Sequence, residues 1–133
     1  MTFLIDTHTL IWAISDVAKL SNDALKIIKD KDNDVFVSVI SFWEIALKTS
    51  IKKFSFAGVA VDDLPEYARK MDFHILDMKA HEACSFANLP LKDTHKDPFD
   101  RMIIWQAITK NMTLISKDKM FFQYQDSGLR LFW

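Results

Sequence analysis

The chain has almost no glycine: Gly58 and Gly128 are the only two. A phosphate-binding loop or a dinucleotide fingerprint needs two or three glycines close together, so that the backbone can approach a phosphate. Both motifs are excluded, and with them most nucleotide-binding readings. Cysteine is scarcer still. Cys84 stands alone, which rules out an internal disulfide and any multi-cysteine metal site and is expected of a protein kept in a reducing cytoplasm. Neither sign of charge dominates: 17 Lys and Arg against 18 Asp and Glu leave a net charge of −1. A polyanion would have to be met by a local patch. No basic segment followed by a long apolar run opens the chain, so no signal peptide is expected. The richest apolar run, "VFVSVISFW", is far shorter than the ~20 residues that span a bilayer, and no membrane association is expected. Linkers, repeats and low-complexity tracts are also missing, so residues 1–133 are expected to form a single domain.

What is present is a dense apolar composition, 50% of the residues with 11 Phe and 4 Trp among them, enough to build a substantial core. Period and punctuation predict alternating strands and helices. Residues 2–5 read as a first strand, followed by a short helix to about Ile14. "LSNDALKIIKD" reads as a helix capped by Ser21 or Asn22, "DVFVSV" as a second strand, and Ser41 to about Lys52 as a helix. "VDDLPEYARKM" is a helix with Pro65 in its first turn, "FHIL" a third strand, and "KAHEACSFANL" a helix. "PFDRMIIWQAITKN" carries the clearest start signal, with Asp97 at the N-cap and Pro98 at the first helical position. "MTLIS" and "LRLFW" complete the set as fourth and fifth strands. Short apolar strands alternating with helices imply an α/β fold, a parallel sheet covered on both faces.

Ligands of an open α/β sheet sit beyond the carboxyl ends of its strands, and the chain puts acids there repeatedly. Asp6 ends the first strand. Glu44 lies in the first turn of the helix after the second, Asp100 in the first turn of the helix before the fourth, and Asp118 just after the fourth. Each also has a purely structural reading. Ser41-Phe-Trp-Glu44 has the spacing of a capping box; Asp97, Asp118 and Asp6 can cap the helices that follow them, with Asp100 complementing a helix dipole. As a set they ask for more. Crowded carboxylates repel, and burial adds to the cost. A divalent cation among them relieves both, and hard oxygen donors point to Mg²⁺ or Mn²⁺. With one cysteine and scattered histidines, zinc is not expected. Such an ion acidifies a bound water and offsets charge developing on a phosphoryl group, chemistry suited to phosphodiester hydrolysis.

"LIDTHTLIW", "SVISFWEIALK", "HKDPFDRMIIWQA" and "LISKDKMFFQY" resemble, in order and spacing, the motifs of PIN-domain proteins, and among these the VapC-type toxins of bacterial toxin–antitoxin pairs. The resemblance implies a three-layer domain with a parallel sheet of about five strands in the order 3-2-1-4-5, flanked by helices. It implies a Mg²⁺- or Mn²⁺-dependent endoribonuclease that cleaves structured RNA such as tRNA or rRNA and is inhibited by a cognate antitoxin. Asp6, Glu44, Asp100 and Asp118 match the four acids that hold the metal and carry catalysis. Asp97 matches an extra acid of the "DPFDR" subgroup in a supporting role. Ser116 matches a hydroxyl that supports a metal-bound water. His8 stands where relatives carry a small hydroxyl or amide residue, placed to contact phosphate or order a water. His95, close to the acidic helix start, is left open; His74 and His81 are not assigned to the site.

Lys96, Arg101, Lys117 and Lys119 flank the acids and are the candidates for RNA backbone contact, which gives affinity without sequence information. Trp12 or Trp43 could stack on a base, or belong to the core or an interface. Leu10, Ile11, Trp12, Phe42, Trp43, Ile45, Leu47, Ile51, Phe54 and Phe56 are more apolar surface than two helices of a small domain need to bury. The surplus points to a partner, either an antitoxin helix laid in a groove or a second copy, giving a homodimer or a toxin–antitoxin hetero-oligomer. Two rivals remain: a catalytically silent PIN-like module that only binds RNA or a partner, and a phosphoacceptor signalling domain. The latter wants adjacent acids after the first strand, where Thr7 follows Asp6.

Overall fold

A computed structural model describes residues 1–133. Five strands, β1 (Thr2–Ile5), β2 (Asp34–Ser38), β3 (His74–Leu76), β4 (Thr113–Ile115) and β5 (Arg130–Phe132), form one sheet in the order β3-β2-β1-β4-β5. Every neighbouring pair is parallel, with Ile5 in register with Val37 on one side and Ile115 on the other. This is the expected 3-2-1-4-5 order, and it differs from the 2-1-3-4-5 order of the doubly wound signalling folds.

Period-two alternation divides the strands between two cores. Phe3 and Ile5 of β1, with Val35, Val37 and Ile115, face helices α1 (Thr7–Ser15), α2 (Asn22–Lys29) and α4 (Leu64–Lys70), which contribute Leu10, Ala24 and Ala68. Leu4 and Leu114 face the other way, against α6 (Pro98–Thr109) through Ile103, Ile104 and Ala107, and against Phe121 and Tyr124. Helix α3 (Val39–Ser50) supplies one residue to each, Ile45 and Ile40. The sheet is thus covered on both faces, which is why its strands read as near-continuous apolar runs.

Three elements depart from the sequence expectation. Helix α3 starts at Val39, and Ser38 is its cap, accepting from the Ile40 amide. Ser41 is therefore inside the first turn, where its hydroxyl accepts from Thr7 Oγ1 at 3.0 Å. The Ser41–Glu44 capping box does not form, and Glu44 is released from that structural duty. The helix expected over 79–89 is α5 (Ala80–Ser85) followed by a 3₁₀ turn, Phe86–Asn88. The segment after β4 is a 3₁₀ helix, Lys119–Ser127, closed by Gly128 at φ 100°. That left-handed residue turns the chain back into β5, a conformation in which a side chain would be strained.

Candidate metal centre

Parallel strands put their carboxyl ends on one edge, and a helix returning to a parallel strand starts at that edge. Asp6 therefore follows β1, α3 begins after β2, α6 begins before β4, and Ser116 and Asp118 follow β4, all at the same rim. Asp6 caps α1: Oδ1 accepts from the Thr9 amide at 2.9 Å. Its other oxygen, Oδ2, accepts from Ser116 Oγ at 2.6 Å. Burial raises the Asp6 pKa, and the bonds from Ser116 and Thr9 and the charge of His8 oppose that rise.

Ser116 also accepts from the Asp118 amide, at 3.1 Å. A single hydroxyl thereby orients two of the acids. The sequence expectation had Ser116 supporting a water; in the structure its proton goes to Asp6. Asp118 caps the 3₁₀ helix after it, through Oδ1 and the Met120 amide.

Asp97 caps α6, accepting from the Asp100 amide at 3.0 Å, with Pro98 at the first helical position. That bond fixes Asp100 one turn into the helix. The Asp100 carboxyl is pushed up to about 8, first by burial and then by the charges of Asp97, Glu44, Asp6 and Asp118. All the acids singled out from the sequence therefore act on one carboxyl group, although they come from four separate segments.

Glu44 is buried, and Lys48, one helical turn on, forms an ion pair with its Oε2. Its other oxygen, Oε1, is buried without a hydrogen-bond partner. The Lys48 pKa is raised, chiefly by its bond to Glu44, against burial, with the charges of Glu44, Asp97 and Asp100 adding. Sequence reasoning missed Lys48, although the i,i+4 spacing from Glu44 is a readable signal.

The tightest set of donor atoms is not the expected quartet. His95, Asp100 and Asp118 each offer one atom within 4.8 Å of the others. His95 is only 7% exposed; Nε2 lies 3.4 Å from Asp100 Oδ2 and Nδ1 lies 2.8 Å from the hydroxyl of buried Tyr124. Burial lowers the His95 pKa, against the charges of Asp118 and Asp97. Tyr124 was not singled out from the sequence, because an aromatic residue close to Phe121 and Phe122 reads simply as core. His74 pairs with Asp34 on the sheet edge and His81 is exposed on α5; neither joins the acidic rim.

The cations divide. Lys96, Lys117 and Lys119 are exposed, and Lys117 Nζ lies 5.9 Å from the Trp12 ring centre. Asp6, His8, Trp12, Lys117 and Asp118 line a cavity of about 230 Å³ beside the acids. His8 is exposed there, its ring 5.6 Å from that of Trp12. Arg101 departs from the expectation of RNA contact. It is buried, and its guanidinium donates to the carbonyls of Leu89 at 3.1 Å and Pro90 at 3.0 Å and to the Tyr124 hydroxyl at 3.3 Å. It holds the chain leading into α6 and does not face solvent.

The surplus apolar residues also divide. Leu10 and Ile45 are buried. Trp43 and Leu47 of α3 and Ile51 at its C-cap, spaced four apart, remain 59%, 39% and 52% exposed. Beside them Ile11, Trp12, Phe54 and Phe56 line a groove of about 520 Å³ that reaches Glu44 and Lys48. No helix is long and apolar enough to cross a membrane.

Solved structures share this architecture. The VapBC2 complex of Rickettsia felis bound to a DNA fragment from its promoter matches with a TM-score of 0.68 at 18% identity, covering 99% of this chain and 98% of that one. The DNA-bound VapBC complex of Salmonella typhimurium matches at 0.67 and 19%, covering 99% and 97%. FitAcB of Neisseria gonorrhoeae matches at 0.62 and 19%, covering 98% and 96%. At such identities the likeness is one of fold. No curated protein matches the sequence significantly. The family profile of the PIN domain matches residues 3–126, nearly the whole chain, and the protein belongs to the PIN-domain family.

Proposed function

We propose that this protein is a VapC-type toxin: a cytoplasmic, divalent-metal-dependent endoribonuclease held in check by an antitoxin. The observation that carries the reading is the gathering of five acids from four segments at one rim, with Asp100 among the charges of the other four and Glu44 Oε1 buried without a partner. Helix capping accounts for Asp6, Asp97 and Asp118 one at a time but does not offset the repulsion of five carboxylates gathered at one rim. A divalent cation removes the conflict. The donor set fits one: oxygen-rich, with Glu44 Oε1 buried and unpartnered.

Asp6, Glu44, Asp100 and Asp118 would hold the ion, Mg²⁺ or Mn²⁺. When bound it supplies Lewis-acid charge, which makes water a better nucleophile and offsets the charge of a phosphodiester under attack. The chain's own part is positioning. Ser116 fixes the Asp6 carboxylate and the Asp118 backbone amide, Asp97 fixes Asp100 through its amide, and Lys48 holds one oxygen of Glu44. Lys96, Lys117 and Lys119 supply local positive charge for the phosphate backbone of a structured RNA, and His8 and Trp12 offer ring surfaces beside the acids.

The exposed α3 stripe and the adjoining groove suit an amphipathic antitoxin segment, read through anchors four residues apart. The solved VapBC and FitAcB complexes support this choice of partner. The test is incubation of the purified protein with structured RNA, with Mg²⁺ or Mn²⁺ and with chelator. Cleavage that needs metal and is lost in Asp6→Asn supports the reading. Intact RNA under every condition overturns it and leaves a silent binding module.

A further inference from the structure

The acidic-site reading leaves the buried imidazole of His95 without a role, although its Nε2 lies 3.4 Å from Asp100 Oδ2. Resting on that reading, we infer that His95 Nε2 is itself a ligand of the bound ion, together with Asp100 and Asp118, and that the site therefore prefers a transition-metal dication such as Mn²⁺ to Mg²⁺.

Three observations converge. The first is distance: the His95, Asp100 and Asp118 donor atoms lie within 4.8 Å of one another. At metal–ligand distances of about 2.0–2.3 Å, only a small adjustment brings such a set around one ion. The second is burial: His95 is 7% exposed, lodged against Phe121 and Tyr124, and cannot swing out to water. A buried ring with Nε2 3.4 Å from Asp100 Oδ2, in a set that also includes an Asp118 oxygen, is placed where a cation would lie.

The third is the far side of the ring. A ligating imidazole needs its other nitrogen held by a partner, which fixes the tautomer and the ring orientation. Here Tyr124 lies 2.8 Å from Nδ1, and the same hydroxyl accepts from Arg101 Nε at 3.3 Å and lies 3.5 Å from the His95 carbonyl oxygen. A phenol has one proton and two lone pairs. With Nε2 free to coordinate, Nδ1–H and Arg101 Nε–H fill the lone pairs and the phenol proton turns to the His95 carbonyl. In the other tautomer the phenol donates to Nδ1, and Nε2–H donates to Asp100. The hydroxyl satisfies either state by rotating, so ligation strands no buried polar group. Imidazole nitrogen favours transition metals over Mg²⁺, which prefers an all-oxygen octahedron.

The test is electron spin-echo modulation of the metal-free protein loaded with one equivalent of Mn²⁺, alongside Mn²⁺ and Mg²⁺ titrations. The expected result is ¹⁴N modulation from a coordinated imidazole in the parent, lost in His95→Gln. That variant should lose Mn²⁺ affinity by roughly tenfold or more, with a smaller change for Mg²⁺. The triple variant His8→Gln, His74→Gln, His81→Gln keeps His95 as the sole histidine and should retain the modulation, which decides the matter even if His95→Gln does not fold. Bound Mn²⁺ without nitrogen modulation, or modulation lost in the triple variant, overturns the assignment and leaves the acidic site standing. Failure of the parent to bind Mn²⁺ at all overturns both.

Discussion

Ser116 Oγ donates to Asp6 Oδ2 at 2.6 Å, joining the ends of β4 and β1 across 110 positions of chain. Ser116→Ala removes that donor and the acceptor of the Asp118 amide, so two acids lose their orientation. RNA cleavage is expected to fall roughly 10- to 100-fold, while the far-ultraviolet circular dichroism stays that of the parent. Unchanged cleavage would mean that Asp6 needs no such support.

Asp100 reverses the usual pH dependence of a carboxylate. Its folded pKa is raised from 3.8 to about 8, so between those values the folded state holds a proton that the unfolded state has released. Stability of the metal-free protein should therefore fall as pH rises from about 4 toward 8, and this contribution should level off above 8. Asp100→Asn removes the penalty. Without metal at pH 8 the variant should be the more stable by about 1–3 kcal/mol, several degrees in Tm, and it should not cleave RNA. A variant less stable than the parent in chelator at that pH would contradict the crowding of charge at the rim.

A metal ion competes with the same proton. Saturating Mn²⁺ should raise the parent's Tm, by about 2.7 kcal/mol of stability at a hundredfold excess over Kd, and the gain should be larger at pH 8 than at pH 6. Thermal melts of Glu44→Gln should show a much reduced shift, since this change removes the charge but keeps the size of the side chain with the unpartnered oxygen. Equal shifts in parent and variant would place the ion elsewhere.

Arg101 and Lys117 should separate cleanly. Arg101→Met leaves the buried Leu89 carbonyl and the half-buried Pro90 carbonyl without their donor and is expected to cost about 2–4 kcal/mol, read by chemical denaturation. Lys117→Ala should leave Tm unchanged, weaken RNA binding and reduce its salt dependence. The reverse pattern would restore Arg101 as the RNA contact.

Leu47→Glu with Ile51→Glu puts two charges on the exposed stripe of α3. Co-purification with a co-expressed antitoxin should be lost while the Tm stays within a few degrees of the parent's and RNA cleavage persists. A complex that survives the double change would place the partner on another face.

Much of this was written locally. The alternation in "FLI" and "VFV", the Asp97–Pro98 helix start and the acids at strand ends are short-range signals, because side-chain period and capping depend only on neighbours. They determined the parallel α/β sheet, most element positions and the placing of acids at strand and helix ends. Three-dimensional packing decided the rest. Arg101 reads as one more cation beside an acid until the fold closes over it. Ser41 and Glu44 read as a capping box until Ser38 takes the cap and leaves one Glu44 oxygen without a partner. His95 acquires meaning only where Tyr124, 29 residues away, holds one side of its ring. Burial, desolvation and charge crowding are properties of groups distant in the chain, and no window of sequence contains both partners.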